Sequence, residues 1–120
     1  MKKKVLICDD EEDILELCTH ILRKDYEICV AQNVSDIVAL VEEYTPHLIL
    51  LDLWMPEIGG EAGVKVLKAN KNTKHIPVLL FSAHDDIHKI VSQTGADGFL
   101  KKPFNSAELV ETIRLHLEYE

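Results

Sequence analysis

The sequence has no apolar run long enough to cross a membrane, no excess of positive charge, no C-x-x-C pair and no internal repeat. Each absence removes a class of function. A membrane-spanning helix needs about 20 consecutive apolar residues, and the apolar runs here stop within a strand's length, at Asp9 and at Asp52. Met1-Lys2-Lys3-Lys4 is a basic start, but only Val5 to Cys8 follow before Asp9, with no small-residue cleavage site. No secretory leader is expected, and the expected compartment is the cytoplasm. Thirteen Lys and Arg against 21 Asp and Glu give a formal net charge of −8, which argues against a surface for a nucleic-acid backbone. Cys8, Cys18 and Cys29 are odd in number and lie in apolar stretches. Buried reduced thiols are expected rather than a redox or metal site. With no linker or low-complexity segment, the 120 residues read as one domain, 1–120, with no room for an output domain.

What the chain does have is a set of apolar runs that end on polar residues. Leu48-Ile49-Leu50-Leu51-Asp52 is continuous, apolar and followed shortly by Pro56. Such a run reads as a strand buried on both faces in a parallel sheet, which puts Asp52 at its carboxyl end. That end is where ligands and chemistry collect in open α/β sheets. Val5 to Cys8 is a similar run, ending in Asp9-Asp10-Glu11-Glu12-Asp13. The acidic run suits the start of the helix that Ile14, Leu17, Cys18, Ile21 and Leu22 indicate, through capping and the helix dipole. Capping needs only one or two of five repelling carboxylates. A parallel sheet would bring Asp9 and Asp10 beside Asp52, and carboxylates clustered at one edge are a hard-cation site.

The remaining segments continue the alternation. Tyr26 to Ala31 reads as a strand, Asn33 as the N-cap of a helix carrying Ile37 to Val41, and Pro46 as the end of that unit. Gly59-Gly60 marks a turn, and Gly63 predicts a third helix that is short or frayed at its start. Ile76 to Phe81 is a fourth strand ending in Ser82, Ala83 to Thr94 a modest helix, and Ala96 to Leu100 a short fifth strand. Asn105 with Glu108 predicts a capping box at the last helix. Strands alternating with helices give an α/β fold, a doubly wound five-stranded parallel sheet with five helices. Its strand ends aim Asp9 and Asp10, Asp52, Ser82 and Lys102 at one edge.

At this point the sequence resembles the receiver domain of two-component response regulators, over essentially its whole length. The resembling residues are Asp9-Asp10, Asp52-x-x-Met55-Pro56-x-x-x-Gly60, Ser82-Ala83, and Gly95-Ala96-Asp97-Gly98-Phe99-Leu100-Lys101-Lys102-Pro103-Phe104. The resemblance implies flavodoxin-like strand order 2-1-3-4-5, an order shared by flavodoxin and a chemotaxis receiver. It implies that Asp52 accepts a phosphoryl group as a carboxylate nucleophile, in a signalling protein that catalyses its own phosphorylation and dephosphorylation and acts on no external substrate. It also implies that Asp10 and Asp52 ligate Mg²⁺, Asp9 acts through water, and the carbonyl of Trp54 supplies a further ligand. Lys102 would pair first with Asp52 and then with a phosphoryl oxygen. Ser82 would hydrogen-bond the phosphoryl group, and Phe99 would hold the family's aromatic switch position. Each residue also has an ordinary reading: a surface lysine, a turn serine, an aromatic packed on the core. The implied partners are a sensor histidine kinase or histidine phosphotransfer protein and a downstream protein of unknown identity. The surface of the fourth helix, fifth strand and last helix would take that target or a second copy.

Two features depart from the family's pattern. The stretch from Ser82 to Lys102 is short, which bears on the fourth helix, and Trp54 is bulky for a variable position bordering the site. Its indole is expected at the rim. His84 is the one histidine near the site, with a solvated role expected.

Three other classes share parts of this pattern. A phosphatase with an Asp nucleophile wants a second acid two residues on, where Trp54 stands. An electron carrier holding a flavin phosphate wants a neutral, glycine-rich loop after the first strand, where Asp9 to Asp13 stand. A receiver-like module that is never phosphorylated would not need all of these residues.

Overall fold

Alternating apolar runs and amphipathic stretches build a three-layer α/β unit, described by a computed structural model over residues 2–55 and 59–118. Pro56, expected to stop the central strand, lies outside these residues. The elements are β1 (Lys3–Cys8), α1 (Glu12–Leu22), β2 (Tyr26–Ala31), α2 (Ile37–Tyr44), β3 (Leu48–Asp52), α3 (Gly60–Ala69), β4 (Val78–Ser82), α4 (Ile87–Thr94), β5 (Gly98–Lys101) and α5 (Ser106–Glu118). All strand pairs are parallel and the order is β2-β1-β3-β4-β5, as the resemblance implied. Among the described residues no helix is long and apolar enough to cross a membrane.

Parallel strands covered on both faces must bury every residue, and every residue of β3 and β4 is buried. Alternate residues then divide between two cores. Leu6, Ile49, Leu51, Val78 and Leu80 face Ile37, Val41, Val64 and Leu67 of α2 and α3. Val5, Ile7, Leu48, Leu50, Leu79 and Phe81 face Leu15 and Leu22 of α1 and Leu109, Ile113 and Leu117 of α5. With β3 held from both sides, its last residue has a fixed position.

Several local expectations are corrected. The N-cap of α2 is Asp36, whose side chain accepts from the Ala39 N–H at 3.1 Å, and not Asn33. Val34 between them is only 3% exposed, so the chain first dips into the core and enters the helix later. Gly63 does not fray α3: its N–H bonds the Gly59 carbonyl at 2.9 Å, and a Cβ there would meet Leu51 Cδ2 at 2.9 Å. The glycine lets the helix lie close against the central strand. Segment 83–86 is not helical, because side chains take its backbone donors: Ser82 Oγ accepts from the His84 N–H at 2.8 Å and His84 Nδ1 from the Asp86 N–H at 3.0 Å. The fifth strand, expected over Ala96 to Leu100, begins at Gly98 and runs to Lys101. The Asp97 carboxylate binds the Val78 N–H at 2.8 Å and Lys68 at 2.7 Å just before that strand. The capping box of α5 forms as expected, Glu108 N–H to Asn105 Oδ1 at 2.8 Å and Asn105 N–H to Glu108 Oε1 at 3.1 Å.

Candidate functional site

Parallel strands place all their carboxyl ends at one edge, so the polar residues that ended each apolar run meet there. Asp52 is the last residue of β3 and Ser82 of β4, while Asp9 and Asp10 follow β1 and Lys102 follows β5. Asp9, Asp10 and Asp52 each offer a carboxylate oxygen, and these lie within 4.8 Å of one another. Asp9 is fully buried, and both its oxygens are engaged: Oδ1 accepts from the Glu11 N–H and Oδ2 from Lys102 Nζ, each at 2.8 Å. Lys102 Nζ also lies 3.5 Å from Asp52 Oδ1, 3.4 Å from Glu11 Oε1 and 5.1 Å from the centre of the Phe81 ring.

These surroundings set the titration of the groups. Burial, then the neighbouring Asp9 charge, pushes the Asp52 carboxyl up from 3.8 to about 6; Lys102 and the Trp54 backbone N–H oppose this without cancelling it. Burial works against the charge on Lys102, but its hydrogen bond to Asp9 and the Asp52, Asp9 and Glu11 charges outweigh that and raise its pKa. The ammonium therefore stays charged at neutral pH. Burial, reinforced by Asp9, raises the thiols of Cys8 and Cys18 to about 12, which leaves them unreactive. Both are buried reduced thiols, as expected; Cys29 is half-buried.

The rim is aromatic. Trp54 is 67% exposed, at the edge and not in the core. Its ring centre stands 6.0 Å from that of His84, with 38° between the planes. Farther from the carboxylates, Phe99 on β5 meets His88 of α4 edge-on, ring centres 4.5 Å apart. Phe99 also packs against the core on the α2, α3 and α4 side.

This edge can hold a hard cation among three oxygen donors while leaving one buried carboxylate beside a fixed positive charge. The family model described as the response regulator receiver domain matches residues 5–114. The chain belongs to that family. Solved structures agree. The chemotaxis response regulator CheY4 of Vibrio cholerae is 28% identical, with a TM-score of 0.89, covering 98% of this chain and 100% of that one. The signal receiver domain of a signal transduction histidine kinase from Syntrophus aciditrophicus is 29% identical, with a TM-score of 0.87, covering 97% and 90%. The receiver domain of NtrX from Brucella abortus is 30% identical, with a TM-score of 0.84, covering 97% and 99%.

In this receiver domain Asp9, Asp10, Asp52 and Lys102 come together, and Ser82 ends the strand beside Asp52. Phe99 stands apart from the carboxylates, on the β5 and α4 side. Sequence reasoning missed three contacts. The shortest contact of Lys102 is with Asp9, not Asp52, and the exposed Glu11 shares it. His84 is not free in solvent but half-buried, bonded on both sides and set against Trp54. Spacing carried a signal for this last contact, since each ring sits two residues past a strand-end polar residue.

Proposed function

We propose that the chain is a phosphoacceptor receiver of a two-component phosphorelay, a single domain over residues 1–120 acting in the cytoplasm, with Asp52 as the acceptor. The observation that carries this is Asp52 itself: a carboxylate 3% exposed, ending the central strand, beside two further carboxylates and a lysine. A carboxylate oxygen of Asp52 attacks the phosphorus of a phosphohistidine; the phosphorus–nitrogen bond breaks and the imidazole leaves with the electron pair. Burial leaves the nucleophile poorly solvated, and its pKa near 6 leaves it ionised at neutral pH. Lys102, 3.5 Å away, neutralises charge that builds on the phosphoryl oxygens. The Ser82 hydroxyl, at the end of the neighbouring strand, would donate to a phosphoryl oxygen.

The three carboxylates fit a small hard cation, since they are all oxygen donors and already crowd one another. Asp10, Asp52 and the Trp54 carbonyl would hold Mg²⁺, with Asp9 acting through water because both its oxygens are engaged. Bound there, Mg²⁺ would supply charge neutralisation for phosphoryl transfer.

Receiver domains of this family interact with histidine kinases and downstream effectors. Here the donor is a sensor histidine kinase or histidine phosphotransfer protein. Ser82 and Phe99 pass the state of Asp52 to the surface of α4, β5 and α5, which then binds a target or a second copy. Incubation with Mg²⁺ and acetyl phosphate should add one phosphoryl group, mapped by hydroxylamine-sensitive labelling to Asp52, and Asp52→Asn should abolish it. Labelling that persists in Asp52→Asn would move the chemistry to another residue.

A further inference from the structure

The two edges of the sheet are built differently. β5 is four residues long, opens on a glycine and ends on Lys101, the short and charged form that keeps an edge from pairing. β2, at the other edge, has six residues with no proline, no lysine and one acid, Glu27, which pairs with Lys4 on the neighbouring strand at 3.4 Å. No residue of β2 is fully buried. The Ala31 carbonyl accepts from the Asp9 N–H at 3.2 Å, and backbone groups alternate in direction along a strand. Glu27, Cys29 and Ala31 therefore turn theirs toward β1, while Ile28 and Val30 turn theirs outward, where the sheet ends. Side chains alternate with the same period: Cys29 and Ala31 pack on the α2 and α3 side, Tyr26 and Ile28 on the α1 and α5 side. Val30 falls on that second side and is 43% exposed, lining a groove of about 380 Å³ between α1 and the edge. Along the α1 wall of this groove the exposed charges run in order, Glu12 and Glu16 first, His20 and Arg23 last. Among the described residues, Glu12, Glu16 and Arg23 have no ion-pair partner within the chain.

We propose that the β2 edge is an interface for a second copy of this chain, the two β2 strands pairing antiparallel about a two-fold axis at Ile28 so that the two sheets become one. This goes beyond the phosphoacceptor reading, and it uses the sheet edge opposite to the α4, β5 and α5 surface. The strand's own sequence fits the register. Ile28 exchanges both outward backbone bonds with Ile28 of the second copy. Val30 comes beside Tyr26 of the second copy, so the exposed valine gains an aromatic cover. Glu27 comes opposite Cys29 of the second copy, so no like charges meet across the seam. The two-fold axis also reverses the order of charges along α1, and the Glu12 and Glu16 end of one groove faces the His20 and Arg23 end of the other. An extended segment of another protein would find the same backbone groups without this reciprocal match of charges and apolar side chains. Because each copy offers the same patch, the contact closes at two.

A seam of six residues is small, so association should need high protein concentration. Sedimentation velocity of the unphosphorylated chain from about 10 μM to about 1 mM should show monomer giving way to dimer and to nothing larger. Val30→Lys puts a charge on the exposed edge and should weaken association about tenfold, since each copy contributes the change once. Its melting temperature and the labelling of Asp52 should stay as in the parent. Glu27→Cys tests the register separately. Facing Cα atoms in a non-hydrogen-bonded antiparallel pair stand about 4.5 Å apart, within reach of a disulfide. Oxidised with diamide, Glu27→Cys should give a covalent dimer that the further change Cys29→Ser abolishes, because Cys8 and Cys18 are buried and cannot take the place of Cys29. A chain that stays monomeric throughout, a dimer unaffected by Val30→Lys, or a cross-link that survives Cys29→Ser would each overturn the proposal. So would association that appears only after treatment with acetyl phosphate, which would place the contact on the α4, β5 and α5 surface. Labelling of Asp52 is read independently, and none of these outcomes bears on it.

Discussion

Asp52 was legible because a single acid closes an unbroken apolar run, and the same logic exposed Asp9, Asp10, Ser82 and Lys102. Which of them pair was not legible, since that depends on where the turn after β5 sends the Lys102 side chain; the shortest contact is with Asp9. The strand position of Asp52 has a consequence for stability. Its folded carboxyl titrates near 6, above its ordinary 3.8, so the folded state holds the proton more tightly than the unfolded chain does. The stabilisation this gives is present in full below about pH 4 and is lost as pH rises through about 6, without metal. Its size is on the order of 3 kcal/mol from the displacement alone. Urea unfolding of metal-free protein across this window should show that decline above the background of the other acids, and Asp52→Asn, which cannot ionise, should remove it. A profile identical in both proteins would mean that Asp52 is solvated in the native state.

Elements were read correctly in type and order, and the misplaced boundaries share a cause. At Asn33 to Asp36, and again at Ala83 to Asp86, several residues compete for the same backbone donors, and burial of Val34 or the Ser82 and His84 side chains decides among them. Glycine in α3 was misread because propensity counts the helix alone. Gly60 lies against the strand end itself: a Cβ there would meet Leu53 Cα at 2.7 Å and the Asp52 carbonyl at 2.8 Å, both backbone atoms that cannot rotate away. At Gly63 the obstacle is the end of the Leu51 side chain. Gly60→Ala should therefore destabilise by about 2–3 kcal/mol and slow labelling of Asp52 by shifting its backbone. Gly63→Ala gains about 1 kcal/mol of helix propensity against its overpacking and should come out much milder, with labelling nearly intact. Thermal melts and acetyl phosphate labelling of the two variants would check this; equal damage would mean that the α3 approach to β3, and not Gly60 itself, is what the site needs.

Across the molecule, the one ammonium of Lys102 offsets only part of the repulsion among three carboxylates gathered at one edge, so a bound divalent cation should add stability. Mg²⁺ should raise Tm by several degrees, since a ligand at about a hundred times its Kd adds about 2.7 kcal/mol to a native state that alone binds it. Asp10→Asn should melt higher than the parent without Mg²⁺ and respond less to it. An unchanged parent Tm at millimolar Mg²⁺ would rule out the cation site. The bond between Lys102 and Asp9 joins residues 93 positions apart, from the ends of the first and last strands. During synthesis Asp52 emerges about halfway along the chain, long before Lys102, and β5, which precedes Lys102, has β4 as its pairing partner in the sheet. A nascent or truncated chain thus carries Asp52, the proposed acceptor, without the Lys102 ammonium that would neutralise the incoming charge. If Asp52 is the acceptor as proposed, acceptance of a phosphoryl group would certify that the fold has closed, and a half-made receiver would be silent and would not compete with finished ones for the donor.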